Sequence, residues 1–480
     1  MVPARATSRR LTHAAALERL GPWSGRAAVG TAALAVGWLI GHGRATLPVA
    51  ASVGIVVLVR LSAEPRRGLL WGVLIVLLIP ATTTVGGGKL SVIRVAALLV
   101  ALAVAFDLRR PATVGRLSAV DWCVAGFCVV GIVGWLLEAQ PPHGSAFAIN
   151  YVLPLAFYVG ARRFGADVDQ VINVIFVGAS LASLTVLYEA LVVHRPLFAD
   201  PTSYYWSATS AFIFRPGGVF GGPPQAASVL AMSTLCGLPL VYRAHGMKRI
   251  GLSACLIASF AALVLTFTRG PLLGFALGLV AFAVLLGPAT WARFAYAGGT
   301  LGVFAAVALL PHIQTTAWFE KGVLRGGTLA ARQVVWNQTR ALITDSTSHE
   351  LFGHGTNSVV IGTPWLPGDP PADIAQVPAL TQAGAQDQYI RTLIEGGATG
   401  LLLLVGWILG AVANGVALSF RRARDRRTAA ALTAACVAFA VTALVDDALR
   451  QSQTEVMLAL VTGLLVSLSR GDADAGESRL

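Results

Sequence analysis

Apolar runs of transmembrane length follow one another from residue 27 to residue 310 and again from 398 to 469, and one long polar interruption separates them, between Pro311 and Ala385. The runs fall at 27–43, 45–59, 68–83, 91–106, 120–137, 147–161, 171–193, 223–241, 250–267, 271–287, 294–310, 398–418, 428–445 and 453–469. They have the length a helix needs to cross a hydrocarbon core of about 30 Å. Since a chain in lipid must satisfy its own backbone hydrogen bonds, the pattern predicts an all-α integral membrane protein with about twelve to fourteen transmembrane helices. One long extracytoplasmic loop, containing short helices, joins the two groups. The expected division is a cytoplasmic tail at 1–26, a helical bundle at 27–310, the large loop at 311–385, C-terminal membrane helices at 386–469 and a cytoplasmic tail at 470–480.

Composition strengthens this reading: 55% of residues are hydrophobic, 12% are charged and the mean hydropathy is +0.70. The N-terminal stretch is Arg-rich and lacks a small-residue cleavage site, so no cleaved leader is expected. With the N-terminus inside, about two thirds of the 36 Lys and Arg residues fall in cytoplasmic loops, as the positive-inside rule requires. The net charge of +13 then reflects short loops facing anionic lipid, and nucleic acid is excluded as a partner. The five cysteines all lie inside expected spans without metal-ligand spacing, and they read as core residues. Gly270, Gly274 and Gly278 lie four apart, a spacing that lets helices approach closely.

Three outer-side segments carry candidate chemistry. Arg215-Pro216-Gly217-Gly218 ends an aromatic-rich loop (Tyr204, Tyr205, Trp206, Phe212, Phe214). Its tight backbone is expected to expose N–H groups that suit an anion; an interfacial aromatic belt with a snorkelling Arg fits the same residues. Thr266-Phe267-Thr268-Arg269-Gly270 joins two spans with almost no loop, so Arg269 must meet lipid head groups or a bound anion. Within the long loop, Thr328 to Ile343 predicts a helix with Arg332, Trp336 and Arg340 on one face. Two guanidinium groups around an indole can clamp a phosphate or stack on a sugar, although a solvated amphipathic helix has the same spacing. Pro364 to Pro378 reads as an irregular tether or cleft cover, and Asp446 and Asp447 as a solvated turn.

Thr268-Arg269-Gly270, Arg332 through Trp336, Leu351-Phe352-Gly353-His354-Gly355, Gln386 through Ile390 and Glu395 through Leu401 together resemble the O-antigen ligase and O-antigen polymerase family, over roughly Arg215 to Leu401. The resemblance implies a metal-independent bacterial glycosyltransferase of the cytoplasmic membrane, acting without a cofactor on its outer face. A polyprenyl-diphosphate-linked glycan would be the donor and a glycan or glycolipid hydroxyl the acceptor. Membrane lipids, a flippase and a chain-length regulator are the other expected partners. Carried over, Arg269 and Arg332 would bind the donor diphosphate with Arg215 and Arg340, and Trp336, Gln386 and Tyr389 would contact the acceptor or sugar.

The chain departs from the family at one informative place. Ligase-like members carry a His-Asn pair ahead of the Tyr, where this chain has Gln386 and Asp387. Gln cannot act as a general base at neutral pH, so Asp387 and His354, with His349 behind them, become the candidate bases. Asp387 also suits an N-cap, with Arg391 and Glu395 paired four apart on the helix that follows. The missing His favours polymerisation over ligation.

A lipid-linked sugar transporter could use the same arginines, but it calls for charges deep in several spans. The expected spans are nearly free of them, apart from Arg94 near an outer end and Glu189 at the outer end of another. The shape, elongation, division and sporulation family of glycan polymerases fits less well, because its members normally have fewer spans.

Overall fold

A computed structural model describes residue 57 and residues 59–80, 84–85, 90–108, 117–137, 144–164, 167–198, 204–206, 212–287, 346–355, 387–421, 425–446, 448–450 and 452–477. The spans expected at 27–43 and 294–310, most of the one at 45–59, and the loop helix carrying Arg332, Trp336 and Arg340 lie outside these residues. So do Gln386 and most of the polar loop.

Eleven of the fourteen expected spans coincide with helices. They are α1 (Pro65–Leu78), α2 (Val92–Leu108), α3 (Ala119–Leu137), α4 (Gly144–Phe164), α5 (Val168–Tyr188), α6 (Pro223–Arg243), α7 (Gly246–Leu265) and α8 (Arg269–Leu286), followed after a short α9 (Thr347–Phe352) by α10 (Gln388–Arg421), α11 (Arg426–Ala443) and α12 (Ser452–Glu477). Five of them are long and apolar enough to cross a membrane: α5 with its continuation, α6, α7, α8 and α10. The protein is therefore an all-α membrane protein, apart from two short antiparallel ribbons. One pairs Thr84–Val85 with Leu90–Ser91. The other pairs Tyr204–Trp206 with Phe212–Phe214, so the aromatic-rich segment expected as a loop is a hairpin, in keeping with the strand preference of aromatic residues.

Contacts divide the chain into a small unit, Met1–Gly68 with Leu102–Ala112, and a large one holding everything else. In the small unit Glu64 and Arg67 form an exposed ion pair beside the start of α1. The large unit is built around α6, α11 and α12, whose apolar residues are the most completely buried. α7 lies at its periphery and exposes Met247, Ile250 and Ile257, which suits a helix facing lipid.

Small residues set the closest helix approaches. A side chain at Gly274 would meet the Ala438 carbonyl oxygen at 2.4 Å, and one at Gly278 would meet that of Ala434 at 2.8 Å. The stripe at 270, 274 and 278 is thus the seam between α8 and α11, as its spacing predicts.

The helices run alternately, and their ends form two groups. At one end Arg162 pairs with Asp121 at 2.9 Å. There Arg243 forks onto Asp169 and also reaches Thr428, while Arg426 donates to the Leu285 carbonyl. This basic end is the one the charge bias assigns to the cytoplasm. At the opposite end lie the starts of α6, α8, α10 and α12 and the ends of α5, α7 and α11, held by Gln225 to Gln453 and by Tyr389 to the Ala440 carbonyl.

Candidate functional site

The turn from α7 into α8 takes only three residues, and it needs Phe267 at a φ of 53°, a left-handed conformation that costs a bulky residue energy. Arg215 holds that turn. Its Nε donates to the Thr266 carbonyl at 3.0 Å and its Nη2 to the Thr268 hydroxyl. Arg269 follows at once as the first residue of α8; its side chain is exposed and forms no side-chain hydrogen bond or ion pair among the described residues. A cation at the positive end of a helix dipole is electrostatically unfavourable, so this corner is a place where an anion gains from both the guanidinium and the first-turn N–H groups.

The Pro-Gly-Gly backbone beside Arg215 does not offer its N–H groups to a ligand, contrary to the sequence expectation. Gly217 and Gly218 are buried, and their N–H groups donate to Glu189 Oε2 at 2.9 and 2.7 Å. Glu189 Oε1 accepts from the Leu197 N–H at 2.7 Å. The anion in this nest is the protein's own carboxylate, 1% exposed, which sequence reading cannot show because the donors and the acceptor belong to separate segments.

The family-like motifs around 351 and 395 interlock through backbone. α10 breaks at Gly397, whose φ of 63° and ψ of −166° leave the helix. Carbonyls upstream of such a break lose their intrahelical partners. Here those of Ile394 and Glu395 accept from the N–H groups of His354 at 2.7 Å and Gly355 at 3.1 Å. α9 thereby docks on the short segment of α10 that precedes the break, and the His349 and His354 rings stack with centroids 3.9 Å apart.

Asp387 caps that same segment. Its Oδ1 accepts from the N–H groups of Tyr389 at 2.9 Å and Ile390 at 3.2 Å, so the capping expectation is met and the carboxylate is 7% exposed. Gln388 accepts from the Leu449 N–H and reaches Thr392, fixing the segment from the other side. The Tyr389 hydroxyl donates to the Ala440 carbonyl at 3.1 Å.

Arg391 and Glu395 pair as their spacing predicts, at 2.8 and 3.0 Å, but with side-chain exposures of only 5% and 3% they form no solvated surface pair. Glu455, the fourth residue of α12, lies within electrostatic reach of Arg391 and is 3% exposed. Removing one partner of a buried pair leaves an uncompensated charge. Glu395→Ala should therefore cost about 3 kcal/mol, the low end of the range because Glu455 stays near Arg391. Thermal unfolding in detergent measures this, and the double change Arg391→Met with Glu395→Leu should recover most of the loss.

Of the residues picked from sequence, the structure brings Arg215 and Arg269 to one corner, and places Asp387, Tyr389 and His354 on or against the first segment of α10 at the same end of the bundle. Arg332, Arg340, Trp336 and Gln386 lie outside the described residues. Glu189 was noted only as a charge at the outer end of a span, and Glu455 and the buried state of Arg391 and Glu395 were not picked out; the signal for Glu189 and Glu455 was a lone acidic residue inside an apolar run, which rarely goes unpartnered. Between the charges near the two ends the buried polar residues are Ser and Thr, among them Ser180, Ser183, Ser233, Thr234, Ser259, Thr433 and Thr462 in α5, α6, α7, α11 and α12. Among the described residues this gives no charged route between the two faces. No group of three or more metal-ligating side chains occurs among them.

Residues 254–405 match the family model of the O-antigen ligases, about a third of the chain, and the resemblance read from the motifs holds over that stretch. Arg269, Arg332, His354 and Asp387 lie inside it, whereas Arg215 joins it only through its bonds to Thr266 and Thr268. No curated protein matches the chain. Among solved structures, it is similar to a chain from a peptidoglycan synthase complex that coordinates polymerisation and crosslinking, with 15% identity over 73% of this chain and 97% of that one and a TM-score of 0.39. Similarity at that level carries no argument about function.

Proposed function

We propose, on the premise that residues 254–405 form an O-antigen ligase region, that the protein transfers a glycan from a polyprenyl-diphosphate donor to a sugar or glycolipid hydroxyl. The reaction would take place at the outer face of the cytoplasmic membrane, polymerising or ligating a cell-envelope polysaccharide. The observation that carries this reading is the corner at the head of α8, where Arg215 holds the turn through Nε and Nη2 and Arg269 is left exposed beside helix N–H groups.

The acceptor oxygen attacks the anomeric carbon, the bond from that carbon to the diphosphate breaks, and the lipid diphosphate leaves with the electron pair. Negative charge grows on the leaving group, and fixed guanidinium groups stabilise it most where it is greatest. Arg269 and Arg215 would act from the bundle and Arg332 and Arg340 from the polar loop. Trp336 would stack on the sugar, with Gln386 and Tyr389 near the acceptor.

The acceptor proton goes to a group near the start of α10. Asp387 uses Oδ1 as a cap, so a base role would fall to Oδ2. His354 is the other candidate, its main chain fixed on α10 and its ring on His349.

An assay with purified protein in detergent and a polyprenyl-diphosphate glycan tests the reading. New glycosidic linkages are expected without any membrane barrier, and they should persist in the presence of a chelator. Binding of the donor with no new linkage would instead favour a lipid-linked sugar carrier.

A further inference from the structure

We infer that Glu189 is a positioning residue for the donor, acting through Arg215; the inference rests on the proposed diphosphate role of Arg215 and Arg269. α5 ends in a π turn, Glu189–Val193, with the His194 N–H on the Glu189 carbonyl at 2.8 Å and His194 itself at a φ of 49°. Such turns are rare and often sit at functional sites. This one puts the Glu189 side chain inside the protein, where its two oxygens accept three backbone N–H bonds.

Those bonds join three segments: the end of α5, the chain at Leu197, and the Gly217-Gly218 turn. The turn is two residues after Arg215. Gly218 has a φ of 55°, and a side chain there would lie 2.4 Å from the Thr185 hydroxyl oxygen, so the turn is pressed against α5 and its place depends on what α5 presents. Thr185 accepts from the Val219 N–H at 3.2 Å and supports the same docking. With the turn fixed, Arg215 reaches the Thr266 carbonyl and the Thr268 hydroxyl, and this in turn sets where Arg269 leaves the membrane surface. Glu189 touches neither Arg215 nor donor in this chain of contacts; its effect passes through the backbone.

A charged acceptor suits the task, since one carboxylate can take three N–H bonds that a neutral amide cannot. In Glu189→Gln the amide nitrogen must face an N–H on one side, which loosens either the Leu197 strap or the Gly-Gly turn.

The test is a double-mutant cycle on the purified enzyme, with Glu189→Gln, Arg215→Ala and the pair, measuring KM for a polyprenyl-diphosphate glycan and for the acceptor separately. Glu189→Gln should raise the donor KM about tenfold with the acceptor KM unchanged, and add nothing in the Arg215→Ala background. A merely structural role would shift both KM values together, and that result overturns the inference. It is equally overturned if Arg215→Ala raises the donor KM and Glu189→Gln does not, or if the two effects add. Should neither Arg215→Ala nor Arg269→Ala alter the donor KM, the diphosphate reading itself fails, and the inference with it. If Glu189→Gln does not fold, Thr185→Val, which removes only the weaker support of the same turn, must reproduce a smaller rise in donor KM or the inference falls.

Discussion

Arg269→Ala is expected to leave insertion and folding intact while lowering glycan transfer on the order of a hundredfold or more. The two halves of this expectation come from separate observations. Arg269 is exposed and has no side-chain partner among the described residues, and surface substitutions of that kind usually change stability by no more than about 0.5 kcal/mol. Its place at the first turn of α8, after a turn that Arg215 holds, gives it a fixed position for an anion. Arg332→Ala should have an effect of the same size. Cells carrying either variant should accumulate undecaprenyl-linked glycan and lose polymer, which lipid extraction and gel analysis of the envelope polysaccharide would show. Unchanged polymer length and amount in both, with normal protein levels, would remove the arginines from the site. Arg269→Lys should fall between, because Lys keeps the charge and loses the planar fork that matches a diphosphate.

Local spacing was legible and partnership across the chain was not. The glycines at 270, 274 and 278 announced a close helix contact, and the seam with α11 is there. Arg391 and Glu395 announced a pair, but spacing cannot tell whether a pair is wet, and this one is buried. The Arg215 segment shows the limit best. Its backbone donors were visible in the sequence and read as an anion site, yet nothing in the sequence joins them to Glu189, the lone acid of an apolar run that occupies them. Asp387 was equally suited to a cap and to a base, and the structure makes it a cap without removing the second role. The break at Gly397 was hidden altogether, because a Gly-Gly pair just ahead of the apolar run at 398–418 does not announce a break until a second segment is seen to bond the carbonyls it frees.

That break supports the other large expected effect. Gly397→Ala should lower both stability and transfer, the latter at least tenfold, although among the described residues a side chain at 397 would first meet the backbone of Leu351 and Phe352. At a φ of 63° and ψ of −166° the backbone is in a region that is almost closed to residues with a Cβ, at a cost of about 1–3 kcal/mol. Space is also lacking: a methyl group would lie 2.3 Å from the Leu351 carbonyl carbon and 2.4 Å from the Phe352 nitrogen, which are backbone atoms of α9 and cannot rotate away. Either α9 is pushed off or α10 straightens. In both cases the bonds from His354 and Gly355 to the Ile394 and Glu395 carbonyls are lost, at roughly 1–3 kcal/mol for each buried group left unmet. His354 then leaves its place beside the start of α10. Gly400→Ala is the control, since a side chain there meets Val130 at an ordinary 3.5 Å and should change little. Thermal unfolding in detergent, with limited proteolysis near residues 346–355, reads the first effect, and the detergent transfer assay reads the second. If Gly397→Ala proves as stable and as active as Gly400→Ala, the docking of α9 on α10 does not hold the site together. The proposed site would then have to be built from the arginine corner, Asp387 and the polar loop.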